Sequence, residues 1–221
     1  VFPLSSKVFA PDFYTSNELR DQGVIDTSVV TWFKGFHAAY LKTYQLKGPD
    51  PFKEMGLSHP IVLLRSEPHF ATFFQEEKDV LHRSIQMLRG RSEFKKGEFD
   101  MVAFPRDDEQ EQQFASLDVP IINGATVDNP IAHADMVLGA AETMLMEAFV
   151  LCKPAVSAIY WDESKPVKML HKYIPHSINP NEITAEALKF VLDKNSVESY
   201  QRRARSLVSL MENPVIKMNE V

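Results

Sequence analysis

Residues 134–157 read ADMVLGAAETMLMEAFVLCKPAVS, and this stretch decides the fold. The short apolar run Met136–Leu138 predicts a strand that ends at Gly139, and residues 140–151 predict a helix that stops before the next proline. A strand pattern then resumes over 155–159. A helix that directly follows a strand points its free backbone amides at the carboxyl edge of the sheet, where open α/β folds bind ligands, often phosphates. Taken alone, the stretch favours an ordinary βαβ unit that binds nothing at this turn.

From residue 60 onward, strand and helix patterns alternate regularly. Strands are predicted over 61–65, 99–104, 119–123, 136–138 and 155–159, with a weak strand over 171–177. Helices are predicted over 70–89, 108–117, 129–134, 140–151, 184–193 and 197–211. This alternation predicts an α/β fold, a Rossmann-like doubly wound parallel sheet covered by helices on both faces.

The first 59 residues follow a different pattern. Residues 1–34 contain two strand patterns around a short helix that Thr15 or Ser16 can cap. Because these pieces bury little apolar surface by themselves, we interpret them as the tail of a preceding domain or as an edge unit. Residues 35–59 contain several Gly and Pro breakers and predict a connector. Residues 60–221 then form the main domain.

Composition excludes several classes of protein. The 221 residues include 24 Lys+Arg and 30 Asp+Glu, which gives a formal net charge of −6 and argues against nucleic-acid binding. The single cysteine, Cys152, excludes an intrachain disulfide and is typical of a reducing, cytoplasmic compartment. No apolar run reaches membrane-spanning length, and no signal peptide is visible. The chain begins without Met, from which we expect processing, truncation or a further N-terminal part.

Charged residues follow the predicted strands. In a parallel sheet all strands end at one edge, so the residues that follow them converge on one cleft. Arg65 follows the first strand, Arg106 the second, and Gly139 with the predicted helix start the fourth. Two guanidinium groups beside a helix N-terminus suit a diphosphate or another polyanion. The structural alternative is that each arginine pairs with a nearby carboxylate, Glu67 or Asp107. The convergence of the two arginines favours the binding site.

Motifs for metals and for nucleotide cofactors are missing from the sequence. His133, His171 and His176 lack metal-ligand spacing, and we expect them to be solvated or to lie at the edge of the core. The sequence contains no G-x-G-x-x-G, no Walker lysine motif and no G-x-S-x-G elbow. We therefore predict neither a metal nor a cofactor.

Four motifs resemble those of one known family. They are GAAETM…EAF…KPA within 139–155, WFKGFH…YL within 32–41, VLLRSE at 62–67 and FPR…Q within 104–110. In that order they are similar to the G-[GA]-G-x-T-M-x-x-E-A-A-x-x-G-x-P signature, the Y-x-G-x-x-E-x-x-Y-L linker, and the V-V-V-R-P-E and P-R-Y-x-x-Q motifs of the domain of unknown function 354 family. That family is found largely in archaea and bacteria. It is similar to GT-B glycosyltransferases and, more distantly, to UDP-N-acetylglucosamine 2-epimerases.

The resemblance implies the C-terminal half of a two-domain GT-B protein, with the missing first domain as its partner. In GT-B enzymes this half holds the nucleotide-sugar donor, here expected to be of UDP type, so the resemblance implies the donor-binding domain of a glycosyltransferase-like protein. The Gly139 turn and the helix start would meet the diphosphate, and Glu147 would bond the ribose hydroxyls. The implied binding residues are Arg65, Glu67, Arg106, Gly139, Thr143 and Glu147. Without the acceptor half, we expect the chain alone to be inactive.

Two departures from the family pattern leave alternatives open. Ala141 and Glu142 replace part of the small glycine-rich turn, and a carboxylate in the first helical turn repels a phosphate. A non-catalytic GT-B relative that serves binding or assembly, with Glu142 capping its own helix, is therefore a second hypothesis. A sugar-nucleotide epimerase is the third, disfavoured because Leu64 stands where epimerases carry a histidine. The direction of the Glu142 side chain separates the first two, because a capping carboxylate leaves no room for a diphosphate.

Overall fold

Two parallel β-sheets organise the part of the chain that the structure describes. The structure, a computed structural model, describes residues 6–43, 48–67, 79–123, 128–160 and 164–220. In the smaller sheet, β1 (Val8–Pro11) pairs with β2 (Val30–Phe33). The main sheet has the order β4-β3-β5-β6 and consists of β3 (Ile61–Arg65), β4 (Asp100–Ala103), β5 (Met136–Gly139) and β6 (Ala155–Ser157). All of these strands pair in parallel, which confirms the predicted α/β fold.

Helices connect and cover the strands. In chain order they are α1 (Ser16–Asp21), α2 (Pro51–Glu54), α3 (Val80–Gly90), α4 (Ser92–Lys95), α5 (Asp108–Ser116), α6 (Asp128–His133), α7 (Glu142–Val150), α8 (Lys165–Leu170), α9 (Pro180–Leu192), α10 (Lys194–Ser209) and α11 (Pro214–Asn219). Every residue of β3, β5 and β6 is buried, as expected for a parallel sheet whose two faces are both covered. Among the described helices, none combines the length and the hydropathy needed to cross a bilayer.

The N-terminal unit around β1 and β2 has a small apolar cluster of its own, formed by Val8, Ala10, Leu19 and Val24. Its helix α1 starts with a capping box, in which the Thr15 hydroxyl accepts from the Glu18 N–H and the Glu18 carboxylate accepts from the Thr15 N–H. The segment that follows packs elsewhere. Phe36, Leu41 and Phe52 are buried in the core of the main sheet. This segment therefore packs with the main sheet and not with the N-terminal unit.

The predicted strand over 119–123 is reduced to a single bridge. The structure describes all five of these residues, and Ile121 forms a parallel bridge with Ala103. Asp118 adopts a left-handed backbone conformation with φ of 57°, so the chain turns sharply just before the segment. Pro120 has no N–H to donate to a ladder. Extended pairing therefore does not form here, and the prediction of a full strand is wrong.

The weak strand predicted over 171–177 also shortens to one bridge, between His176 and Ser157. The chain first turns out of α8, and Pro175 lacks the N–H that a longer ladder needs. The helix predicted over 70–89 lies partly outside the described residues. Its described part is α3, which begins at Val80 and ends one residue later than predicted.

Candidate functional site

The carboxyl ends of β3 and β5 lie side by side, because Arg65 is the register partner of Gly139. A Cβ atom built on Gly139 would lie 2.7 Å from the carbonyl oxygen of Arg65 and 3.2 Å from its Cβ. Any side chain at this position would therefore push the two strands apart, which is why glycine is required here. The family resemblance implies that the Gly139 turn meets the diphosphate. The structure gives it a packing reason.

Arg65 is buried at the end of β3, with 8% of its surface exposed. Its guanidinium donates hydrogen bonds to the carbonyl of Phe104 and, at 2.9 Å, to that of Pro105, and it lies 4.8 Å from the centre of the Phe104 ring. Burial lowers the pKa of Arg65 to about 10, and the positive charge of Arg106 adds to this effect. The carboxylate of Glu147 opposes it. Arg106 and Glu147 thus lie within electrostatic reach of Arg65.

Arg106 differs from Arg65 in being exposed to solvent. Partial burial of its guanidinium lowers its pKa, and the neighbouring carboxylate of Asp107 opposes the shift. The carboxylate of Asp107 is also the N-cap of α5 and accepts a hydrogen bond from the Gln110 N–H at 2.9 Å. The two arginines therefore differ in what they can contact. Arg65 is held by backbone carbonyls, whereas the exposed Arg106 can reach a ligand.

Gln110 joins the loop that follows Arg65 to the loop that carries Arg106. Its fully buried side chain accepts from the Arg106 N–H at 3.1 Å and donates to the backbone carbonyl of Glu67 at 2.7 Å. The Tyr160 hydroxyl lies 3.5 Å from a carboxylate oxygen of Glu67, which brings the segment after β6 to the same edge. Sequence reasoning placed Gln110 in a motif but gave it no role. The Asp-x-x-Gln pattern from Asp107 to Gln110, typical of a helix start, is the signal that could have found it.

Helix α7 begins at this edge without a side-chain cap. Its N-cap residue, Ala141, has no polar side chain, and no described side chain accepts a hydrogen bond from the first turn in its place. Thr143 is exposed in the first turn. Glu147, one turn further along, is buried with 8% of its surface exposed. Among the described residues, no side chain therefore competes with an anion for the backbone donors of residues 142–144.

Glu142 lies in the first turn of α7 and yet does not cap it. Its Oε2 accepts a hydrogen bond from the Ser164 hydroxyl at 3.0 Å, just before α8 begins. Burial raises the pKa of Glu142, and the hydrogen bond from Ser164 opposes the shift. The Glu142 side chain is thus directed at Ser164 and does not cap the α7 turn, so neither of the two directions considered from the sequence, capping its own helix or pointing to solvent, describes it.

His171 and His176 form a stacked pair beyond the end of β6. Their ring centroids lie 3.7 Å apart, with 11° between the planes. His171 Nε2 lies 2.9 Å from the Ser157 hydroxyl, and His176 Nε2 donates to the Ile159 carbonyl at 3.0 Å. Both histidines thus lie at the edge of the core. Within the described ranges, no group of three or more His, Cys, Asp and Glu side chains could hold a metal ion.

A cavity of about 790 Å³ opens beside β6, against α9 and α10. Its lining includes Glu182, Lys189 and Arg203, and none of the six predicted site residues belongs to it. This cavity and the six predicted site residues therefore lie in different parts of the molecule. We take the carboxyl edge as the candidate site, because two guanidinium groups and the buried Glu147 carboxylate meet there beside a helix start that no described side chain caps.

The chain belongs to the family described as protein of unknown function (DUF354), whose profile matches residues 1–220. This confirms the family that the sequence motifs predicted. A search of curated proteins finds no match to the chain.

Solved structures match the fold across most of the chain. The S. aureus MnaA-UDP co-structure has a TM-score of 0.65 at 12% identity and covers 95% of this chain and 57% of its own. The UDP-GlcNAc 2-epimerase from Neisseria meningitidis bound to UDP-GlcNAc has a TM-score of 0.58 at 15% identity, covering 96% and 57%. The glycosyltransferase of kitacinnamycin has a TM-score of 0.52 at 13% identity, covering 98% and 55%. The chain thus has the α/β fold of one half of GT-B proteins and spans about half the length of these structures.

Proposed function

We propose that the chain is the donor-binding half of a glycosyltransferase-like GT-B protein, and that it binds a nucleotide-activated sugar of UDP type at the carboxyl edge of the main sheet. The observation that carries the proposal is that Arg65 and Arg106 lie together on the edge where α7 starts without a cap. Guanidinium groups and free helix amides are the donors that bind the phosphates of a nucleoside diphosphate. Structures of the same fold that contain UDP or UDP-GlcNAc support the choice of ligand class.

The side chains of the site have roles that suit their positions. Arg106, which is exposed, contacts the diphosphate directly, whereas the anchored Arg65 supplies a fixed positive charge beside it. Thr143 offers a hydroxyl in the first turn of α7, and Glu147, four residues further on the same helix face, accepts hydrogen bonds from the ribose hydroxyls. The buried carboxylate of Glu67 limits the site on the side of β3.

Transfer of the sugar requires more than this chain. The chain covers 55% to 57% of the three solved structures described above. We assign the acceptor site and any general base to a preceding domain, of which residues 1–34 are the tail and 35–59 the connector. Residues 60–221 are then the donor-binding domain, and the connector contributes Phe36, Leu41 and Phe52 to its core. The chain alone binds the donor without transferring it.

The second hypothesis, a non-catalytic relative that serves binding or assembly, depends on Glu142 filling the turn of α7. The carboxylate of Glu142 is bonded to Ser164 instead, which supports the ligand-binding proposal. Epimerase chemistry finds less support, because Leu64 is fully buried in β3 at the position where epimerases carry a histidine. We therefore keep donor binding as the proposed function.

Calorimetric titration with UDP and with UDP-GlcNAc tests the proposal. We expect the wild-type chain to bind, and Arg106→Ala and Glu147→Ala each to weaken binding by about tenfold or more, because each loses charge-assisted hydrogen bonds worth about 1.5–3 kcal/mol. Arg89→Ala is the matched control. Arg89 is bonded to the Leu117 carbonyl and to Asp118, outside the site, so its removal should leave the affinity unchanged.

Two results would contradict the proposal. One is the absence of any binding heat with millimolar UDP or UDP-GlcNAc, while circular dichroism shows a folded chain. The other is binding that Arg106→Ala and Glu147→Ala leave as tight as in the Arg89→Ala control. Either result would move the function away from this edge.

A further inference from the structure

Glu142 and Ser164 connect the start of α7 to the start of α8, and the proposed function gives neither residue a task. The Ser164 hydroxyl donates to Glu142 Oε2 at 3.0 Å and accepts from the Val167 N–H at 3.4 Å. A hydroxyl carries one proton, and here that proton is directed to the carboxylate, because the N–H uses a lone pair. Ser164 therefore holds Glu142 and caps α8 at the same time.

Without Ser164, the Glu142 carboxylate has a second partner within its own helix. The amides of residues 142–144 and the positive end of the α7 dipole both attract a negative charge. The N-cap residue Ala141 offers no acceptor that would occupy these amides first. A carboxylate on the same chain acts at an effective concentration on the order of millimolar, enough to compete with a dissolved phosphate ligand.

We propose that Ser164 holds Glu142 away from the start of α7, and that Glu142 is an internal competitor for the phosphate site whenever this hydrogen bond is broken. The inference rests on the proposed function, because the competition matters to a ligand only if a phosphate binds at α7. Ser164 is thus a positioning residue. It acts on the ligand through Glu142 and makes no contact with the phosphate itself.

Lys165 fixes the place from which Ser164 acts. Its ammonium donates to both carboxylate oxygens of Glu18, with 2.6 Å to Oε1, and lies 5.7 Å from the centre of the Tyr14 ring. The hydrogen bonds from Lys165 and Thr15 lower the pKa of Glu18 to about 2, so the pair stays charged at neutral pH. The first turn of α8 is therefore tied to α1, and Ser164 faces Glu142 from a fixed position.

Titration of UDP into a set of variants at neutral pH tests the inference. We expect Ser164→Ala to weaken UDP binding about fivefold, and Ser164→Thr, which keeps the hydroxyl, to bind like the wild type. Ser164→Ala combined with Glu142→Ala should bind as Glu142→Ala alone does. Because α8 has lost its cap in the double variant too, recovery there can come only from removing the carboxylate. Ser177→Ala is the matched control, since it breaks a serine–glutamate hydrogen bond of the same kind, to Glu182, at 2.6 Å.

Hydrogen exchange without ligand gives a second measurement. If the released carboxylate bonds the amides of residues 142–144, these amides exchange more slowly in Ser164→Ala than in the wild type or the double variant. Unchanged exchange in Ser164→Ala overturns the inference, and so does a double variant that binds UDP as weakly as Ser164→Ala alone. The two proposals fail separately. If no variant binds UDP, the proposed function falls, while the exchange rates still decide whether Glu142 moves onto the helix.

Discussion

Both edges of the main sheet carry charged side chains, but the two edges use them differently. At the amino edge, opposite charges face each other: His59 lies between the carboxylates of Asp50 and Asp135. At the carboxyl edge, two like charges are brought together, and burial and then the charge of Arg106 lower the pKa of Arg65. Matched charges fix the strands in place. Like charges held together cost stability, and such a cost is typical of a binding site.

The amino edge is built from short contacts that join distant parts of the chain. His59 Nδ1 lies 2.6 Å from Asp135 Oδ2, and His59 Nε2 lies 3.1 Å from Asp50 Oδ2. The same oxygen of Asp135 accepts the Ile61 N–H at 2.7 Å, at the first residue of β3. These groups serve the fold. The comparison therefore predicts that changes at the amino edge alter stability alone, whereas changes at the carboxyl edge alter stability and ligand binding together.

The largest effect is expected from Gly139→Ala, which forces β3 and β5 apart at the carboxyl edge. The new Cβ would lie 2.7 Å from the Arg65 carbonyl oxygen, so the backbone itself must shift. We expect the free energy of unfolding to fall by about 3 kcal/mol, measured by urea denaturation. Gly90→Ala is the matched control, since a Cβ at Gly90 meets open space. Equal stability of the two variants would show that the strands tolerate the added methyl group.

A smaller loss is expected from Gln110→Ala, which separates the loops that hold the two arginines. The buried carbonyl of Glu67 and the N–H of Arg106 each lose the side-chain partner they have in Gln110. We expect the free energy of unfolding, measured in urea, to fall by about 2 kcal/mol. UDP affinity should fall as well, because the two arginines are no longer held in their relative positions. Gln112→Ala, at an exposed position of α5, should change neither quantity. A loss of stability with unchanged UDP affinity would show that Gln110 has no part in ligand binding.

Features set by short stretches of sequence were predictable. The bounds of β3 agree with the prediction, because a continuous apolar run bounded by a proline and a charged residue identifies a buried strand. The N-cap of α1 is Thr15, one of the two residues that the sequence offered, and its capping pattern lies within four residues. The strand expected over 119–123 failed for a local reason as well, the sharp turn at Asp118 followed by Pro120. The apolar residues of the segment favour a strand, whereas the turn before it prevents extended pairing.

Features that depend on distant partners could not be read from the sequence. Glu142 is diverted by a hydroxyl 22 residues away, and His59 is paired with Asp135 across 76 residues. The reason for Gly139 is a carbonyl on another strand, which becomes visible only once the register of β3 and β5 is known. The position of both arginines at one edge was predictable, because all strands of a parallel sheet end at the same edge. What holds each arginine in place was not, because it follows from tertiary contacts.

The smallest effect concerns the amino edge, where stability should depend on pH through His59. Burial opposes the charged imidazole, but the hydrogen bonds of Asp135 and Asp50 outweigh it and raise the pKa of His59 above its usual 6.5. A raised pKa in the folded state means that the stabilisation is fully present below the unfolded value, near 6.5, and is lost as the pH rises through the folded value. Wild-type stability should therefore decline from about pH 6.5 upward because of this group.

Comparison of the wild type with His59→Gln in urea at pH 5.5 and pH 8.5 measures this decline. At pH 5.5 we expect the free energy of unfolding of the wild type to exceed that of His59→Gln by less than about 1 kcal/mol. The difference is small because 39% of the His59 side chain is exposed and solvent screens its interaction with the carboxylates. This difference in the free energy of unfolding should be smaller at pH 8.5. Asp135→Asn should show a weaker pH dependence than the wild type, because the charge that raises the His59 pKa is gone. If UDP affinity also changes in His59→Gln, the two edges are coupled, and the prediction that the amino edge affects stability alone is wrong.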